Sequence, residues 1–489
     1  MKSLVGFSSV LLVASGVALA QPGVTSPPPP APTAGSGSGT APPPMPTPDA
    51  GSGSDEQPQW LPGLPNVTGD ETAQAGKLIL SMKRAVELAL QQHPTLRQQQ
   101  AAAEAAYGRV DQAGLPTQPT LTLAGTLGAG SQPQKPCTMT DTALDCGGFA
   151  THQESTGLSA TAAWKITDFG VTRLNVRAAE LNAVAADAGV GSTKLDLRLA
   201  VETAYLQAIA EHRLVVVAES TVKSDGAHFD QAKRFVAAGQ QDPIVVAQAS
   251  STLAAAKSAL AQAQSTDAIA LANLRAAIGW MDPTRTVVID ANWPVTAEEQ
   301  PPELPQLVDS ARKRRPDIVQ LDKLIAAADA SLAAAHAERR PTLSAVADIA
   351  YGPETGNWSP QPSWGAGLTL SWLAWDGGKS RADVRVAIAN EHAAMANRDE
   401  LLLTLTSTLE SARAQIIANR SGVQASNESV ISAQAALKLA EARYAQGLGS
   451  QIELADAQTA VTTAQGSLVT AEYQLATAWA TLHRAAGDI

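Results

Sequence analysis

The chain repeats itself, and that repeat limits the folds open to it more than any other feature. The segment HPTLRQQQAAAEAAYGRVDQAGLPTQPTLTL, beginning at His93, returns from Arg315 as RPDIVQLDKLIAAADASLAAAHAERRPTLSA. Pro94 matches Pro316, and Pro119-Thr120-Leu121 matches Pro341-Thr342-Leu343, both 222 residues apart. Further on, Trp164 matches Trp372, Asp168-Phe169-Gly170 matches Asp376-Gly377-Gly378, and Gly239 matches Gly447, all 208 apart. One connection is therefore 14 residues longer in the first copy, and it lies between two strand-like stretches. A self-match of this length indicates one supersecondary unit used twice.

Proline sets the grain of each unit. None occurs from residue 137 to 242, and none from 363 to the end. Proline breaks helix interiors and sheet ladders, so these stretches are free to run uninterrupted. The order predicted for each copy is a helix, two strands joined by a loop, a very long helix, a Gly-containing turn and another long helix. A helix over 171–238 would reach about 100 Å at 1.5 Å per residue. Leu197, Val201, Ala204 and Ala208 form an apolar stripe with coiled-coil spacing. Gly189-Val190-Gly191 marks a local irregularity expected in that helix. Only 4% of residues are aromatic against 45% hydrophobic, so the core must come from Ala, Leu and Val, which suits closely packed long helices.

The strands alternate with period two. In SWGAGLTLSWLAW (363–375), Trp364, Ala366, Leu368, Leu370 and Trp372 share one face; Ser363, Gly365, Gly367, Thr369 and Ser371 share the other. Trp364 and Trp372 stand about 26 Å apart along an extended strand, near the height of the apolar band between the aromatic girdles of an outer-membrane barrel. In the first copy Leu158, Ala160, Ala162 and Trp164 alternate with Ser159, Thr161 and Lys165. One such strand alone is better read as a half-buried strand of a soluble sheet; four in an exported chain, two per repeat, favour a membrane barrel. Four strands cannot close a barrel, since about eight are needed, so several chains must share one.

Residues 1–20, MKSLVGFSSVLLVASGVALA, have a positive Lys2, a short apolar run and an Ala18-Leu19-Ala20 cleavage pattern, the signature of a secretory signal peptide. No later run of 18 residues is wholly apolar, so membrane entry is expected through strands. Residues 21–76 are largely Pro, Gly, Ser, Ala and Thr and form a flexible tether. The first repeat occupies 77–292 and the second 293–489. The only two cysteines, Cys137 and Cys146, lie in the longer inter-strand loop. An oxidising compartment permits a disulfide there, worth roughly 2–3 kcal/mol in the chain-entropy model.

Charge and motif content exclude several functions. Lys plus Arg is 35 against 46 Asp plus Glu, a net charge of −11 that repels a phosphate backbone. The seven histidines show no i,i+4 pair and no metal-ligand spacing. Ser220-Thr221-Val222-Lys223 matches S-x-x-K but falls mid-helix without its partner motifs. No cofactor, metal or catalytic residue is indicated.

Taken together, AVELALQQHPTLRQQQAAAEAAYGRV, WKITDFGVTRLNVRAAELNA and RYAQGLGSQIELADAQTAVTTAQ, in duplicated order over roughly 77–487, resemble the TolC-type outer-membrane efflux proteins. The resemblance implies a mainly α chain with membrane β: a homotrimer with a shared twelve-stranded β-barrel, continued by a long α-helical periplasmic tunnel. It implies passive export through the outer membrane, coupled by a periplasmic adaptor to an inner-membrane pump. On this chain the adaptor-docking turns fall at Gly239, Gln240 and Gln241 and at Gly447, Leu448, Gly449 and Ser450. The family's acidic step after the second turn falls on Glu453 and Asp456, which share a helix face and would form two stacked carboxylate rings in a trimer. A solvated helix face is the ordinary fate of such a pair; its place beside the turn singles it out as a gate. The first-copy counterpart of Glu453 is Val245, and the Arg common after the family's second turn is Gly449 here. Trp164, Trp364 and Trp372 are assigned to the membrane girdle. A soluble periplasmic coiled-coil or adaptor protein is the main alternative, and a secreted enzyme on a helical scaffold a weaker one.

Overall fold

The computed structural model describes residues 77–132, 138–140, 143–145, 151–281, 286–294, 298–353 and 360–488. The signal peptide, the tether, Cys137 and Cys146 lie outside the described residues.

The long helices form where proline is missing. Helix α3 spans Val171–Ala237 and α7 spans Lys379–Ala445, each 67 residues and therefore about 100 Å long. Each folds back through a short turn onto a partner, α4 (Ile244–Ile278) or α8 (Gln451–Ala486). The expected stripe on α3 is inside: Leu197, Val201 and Ala208 are buried and Ala204 packs against them. Ahead of each strand pair runs a shorter helix opened by proline, α2 (Pro94–Gly114) or α6 (Pro316–Ala337).

The expected irregularity at Gly189-Val190-Gly191 is absent, and α3 passes straight through. These glycines serve packing instead. A Cβ on Gly191 would lie 2.9 Å from Pro316 Cβ, and one on Gly189 would lie 3.2 Å from Gln320 Nε2, so both let α6 approach closely.

Four strands make one antiparallel sheet in the order β2-β5-β7-β8, with β2 Thr120–Gln132, β5 Thr151–Thr167, β7 Thr342–Pro353 and β8 Pro360–Ser371. The longer first-copy connection carries a further hairpin, β3 (Thr138–Thr140) with β4 (Ala143–Asp145).

Two features escaped the sequence reading. Strands β1 (Lys77–Leu80) and β6 (Thr286–Ile289) pair in parallel, and the short helices α1 (Met82–Gln92) and α5 (Leu304–Arg314) flank the long bundle. Tyr205 of α3 locks this region: its hydroxyl donates to Leu80 O at 2.7 Å and accepts from Asp290 N at 3.0 Å. The two largest core clusters lie about α1–α4 with Ala476 and Ala480 of α8, and about α5, α7 and α8 with Ile318 of α6.

Helix α4 is long and apolar enough on average to cross a membrane, at mean hydropathy 1.3, although the sequence contains no unbroken apolar run of that length. Alanine supplies much of that apolarity, and the helix lies along α3 in the hairpin.

Candidate functional site

The sheet sorts its side chains by face. Register places Leu121, Ala162, Ala347 and Ala366 side by side across all four strands, with Leu123, Ala160, Ile349 and Trp364 in the next row of that face. The intervening row, on the opposite face, is Thr122, Thr161, Asp348 and Gly365. The apolar face is uncovered: Leu123, Leu158, Trp364, Leu368 and Leu370 are all more than 60% exposed. So much contiguous apolar surface is unstable in water and matches a lipid-facing wall.

The two copies finish this wall identically. The Trp164 indole N–H donates to Thr117 O at 3.0 Å, and the Trp372 indole donates to Arg339 O at 3.1 Å. Each acceptor lies three residues before its strand. The indoles thus sit at the helical end of the sheet, exposed, with their polar atoms satisfied. Trp364 lies towards the opposite end of β8. Each long helix then starts from an aspartate cap. Asp168 accepts from Thr172 N at 3.0 Å and Gly170 N at 3.2 Å, and Asp376 accepts from Ser380 N and Gly378 N at 2.8 Å each; the Thr172 and Ser380 hydroxyls also donate. Burial acts to raise the Asp168 carboxyl, but these bonds outweigh it and hold the group below its usual range. The bonds from Ser380 and Gly378 hold Asp376 far below that range.

At the other end the hairpins turn. Helices α3 and α7 stop in the same Schellman arrangement. Gly239 and Gly447 take φ of +71° and +73°; Gln240 N donates to Phe235 O and Leu448 N to Arg443 O, both at 2.9 Å. Gly449 packs tightly, since a Cβ there would lie 3.1 Å from Tyr444 N. Ser450 caps α8, accepting from Glu453 N at 3.1 Å. The two turns meet through fully buried Tyr444, whose hydroxyl donates to Gln241 Oε1 at 3.1 Å and whose ring lies 5.6 Å from that of Phe235.

The acidic pair divides. Glu453 lies 3.4 Å from Arg443 Nη1 and occupies the third position of a helix opened by Ser450. It therefore has local reasons to be acidic, namely the helix dipole and a surface ion pair. Asp456, one turn further on, is exposed. Val245, at the matching place on α4, contributes no charge.

Just inside the tip the sequence reading missed a buried polar ladder between α3 and α8. Thr221 and Thr462 hydroxyls lie 2.9 Å apart; Ser224 donates to Gln458 Oε1 at 2.8 Å and lies 3.1 Å from His228 Nε2. Asp225, His228, Gln451 and Gln458 are all buried. The legible signal was polar residues recurring at 221, 224, 225 and 228, a core-facing spacing in a helix.

The outer membrane efflux protein family model matches residues 85–280 and 307–488. Protein CyaE of Bordetella pertussis is 28% identical over 389 residues, covering 78% of each chain. The probable efflux pump outer membrane protein TtgC of Pseudomonas putida is 24% identical over 366 residues, 74% of each. Among solved structures, the CmeC outer membrane channel of Campylobacter jejuni superposes with a TM-score of 0.69 at 16% identity, over 83% of this chain and 85% of that one. With its two repeats of lipid-facing strands and long hairpins, this chain belongs to the outer membrane efflux protein family and is an export channel of the outer membrane.

Proposed function

We propose that three copies assemble into one duct, each giving four strands to a twelve-stranded barrel and its hairpins to a periplasmic tunnel. The observation carrying this reading is the β2-β5-β7-β8 sheet: among the described residues both edge strands lack an outer neighbour, and one face is a continuous apolar wall. In lipid an unpaired edge costs several kcal/mol per open backbone group, so the sheet must close, and three copies supply enough strands. The exposure of Val386, Leu403, Ile417 and Ile431 along α7 supports the same assembly, because neighbouring hairpins would cover them.

Within that trimer, Glu453 and Asp456 line the narrowest point and form the gate. The turns at Gly239, Gln240 and Gln241 and at Gly447, Leu448, Gly449 and Ser450 receive a periplasmic adaptor, which couples the duct to an inner-membrane pump. Cargo passes by diffusion once the tip opens, and the partners provide the energy. Residues 1–20 serve as a leader, 21–76 as a tether, 77–292 and 293–489 as the two repeats, and Cys137 and Cys146 as a loop disulfide. The test is the mass of the detergent-extracted protein by light scattering. A trimer is expected; a monomer released from membranes without detergent would favour the soluble adaptor reading instead.

A further inference from the structure

The ladder between α3 and α8 ends at the tip in a small cavity lined by Asp225, His228, Ala249, Thr252, Gln451, Leu454 and Ala455. Two acceptors there lack partners. Gln451, the first residue of α8, is 8% exposed, and its buried Oε1 receives no hydrogen bond. Asp225 is 5% exposed, and no donor reaches its carboxylate among the described residues. Gln451 Oε1 is sealed from solvent without a donor, which costs its desolvation, and the Asp225 carboxylate lies on the same cavity.

We propose that this cavity is a proton site: a proton on Asp225 lets its carboxyl donate to Gln451 Oε1, clamping the first turn of the gate helix α8 onto α3. The proton comes from solvent, and no covalent bond other than the new O–H is made or broken. This rests on the reading of α8 as the gate helix. The surroundings of Asp225 favour the neutral form. On α3, His228 is the neighbouring titratable group; α4 presents Ala249 and Thr252; α8 presents Gln451, Leu454 and Ala455 and, one rung on, Gln458; α7 offers Glu441, whose carboxylate lies 4.0 Å from His228 Nε2. Glu453 is engaged with Arg443. Burial pushes the Asp225 carboxyl above its ordinary range, and His228 offsets only part of the rise. A carboxyl whose affinity for a proton is higher in the closed tip stabilises closure at low pH, and that stabilisation is lost as pH rises through the closed-state value. A one-unit difference between closed and open tips would bias closure about tenfold.

Hydrogen exchange of the intact trimer in detergent, corrected for intrinsic exchange, tests the site at residues 451–456. Protection there is expected to be about tenfold greater at pH 5.5 than at pH 8. Asp225→Asn, a permanent donor of the same shape, should give high protection at both. Gln451→Leu should give low protection at both, and His228→Gln should keep the dependence on pH. The proposal is overturned if the parent protein shows no such dependence, if Asp225→Asn retains it, or if His228→Gln abolishes it. Oligomeric mass, measured on the same samples, reports separately on the trimer.

Discussion

Glycine 447 and glycine 191 do opposite jobs, and replacing each by alanine separates them. Gly447 sits at φ +73° with open space around any added Cβ, so alanine there pays only for left-handed backbone, about 1–2 kcal/mol. Gly191 has ordinary helical backbone, yet its Cβ would press on Pro316 at 2.9 Å. Overpacking at such a contact typically costs 1–3 kcal/mol and would prise α6 from α3. Urea titration should show both variants destabilised. Only Gly191→Ala should also accelerate proteolysis within α6, while only Gly447→Ala should loosen the turn. Both glycines stand out in the sequence, but it identified only Gly447 correctly. A turn glycine is legible because its neighbours in the chain require it. A contact glycine answers to Pro316, 125 positions away.

Among the elements, β8 gives the sharpest contrast because adjacent residues face different media. Leu368 is 72% exposed on the apolar wall, and Gly367 next to it faces the other way with nothing near its Cβ. Leu368→Arg should cost roughly 2–4 kcal/mol if that wall meets the bilayer midplane, and trimer yield in the outer membrane should collapse. Gly367→Arg should assemble normally and lower conductance. Equal tolerance of both substitutions would mean that this face does not meet lipid. Period-two alternation made these faces legible from residues 363–375 alone. The β1–β6 pair was not legible, since four-residue strands more than 200 positions apart carry too little pattern to announce a parallel partner.

At the scale of the whole duct, the gate proposed at Glu453 and Asp456 would depend on charge brought together by symmetry. Arg443 lies beside Glu453 and Asp456 is exposed, so in the proposed gate the free charge would rest chiefly on Asp456. In planar bilayers, replacing both Glu453 and Asp456 by Ala should raise single-channel conductance and weaken cation preference, with Asp456→Ala alone giving most of the change in preference. Unchanged conductance would remove the gate assignment and leave the duct intact. The sequence by itself determined what is periodic or local: the duplicated element order, the two long helices, the two-faced strands, and the turns at Gly239 and Gly447. Those follow from backbone sterics and from which side chains avoid water, and both are written along the chain. Only the tertiary structure decided that Arg443 shares Glu453, that Tyr444 reaches Gln241, and that Asp225 and Gln451 close on one cavity. The first pairing crosses a turn, whose geometry sets its distance; the other two join different hairpins, and the packing of one hairpin against the other sets theirs.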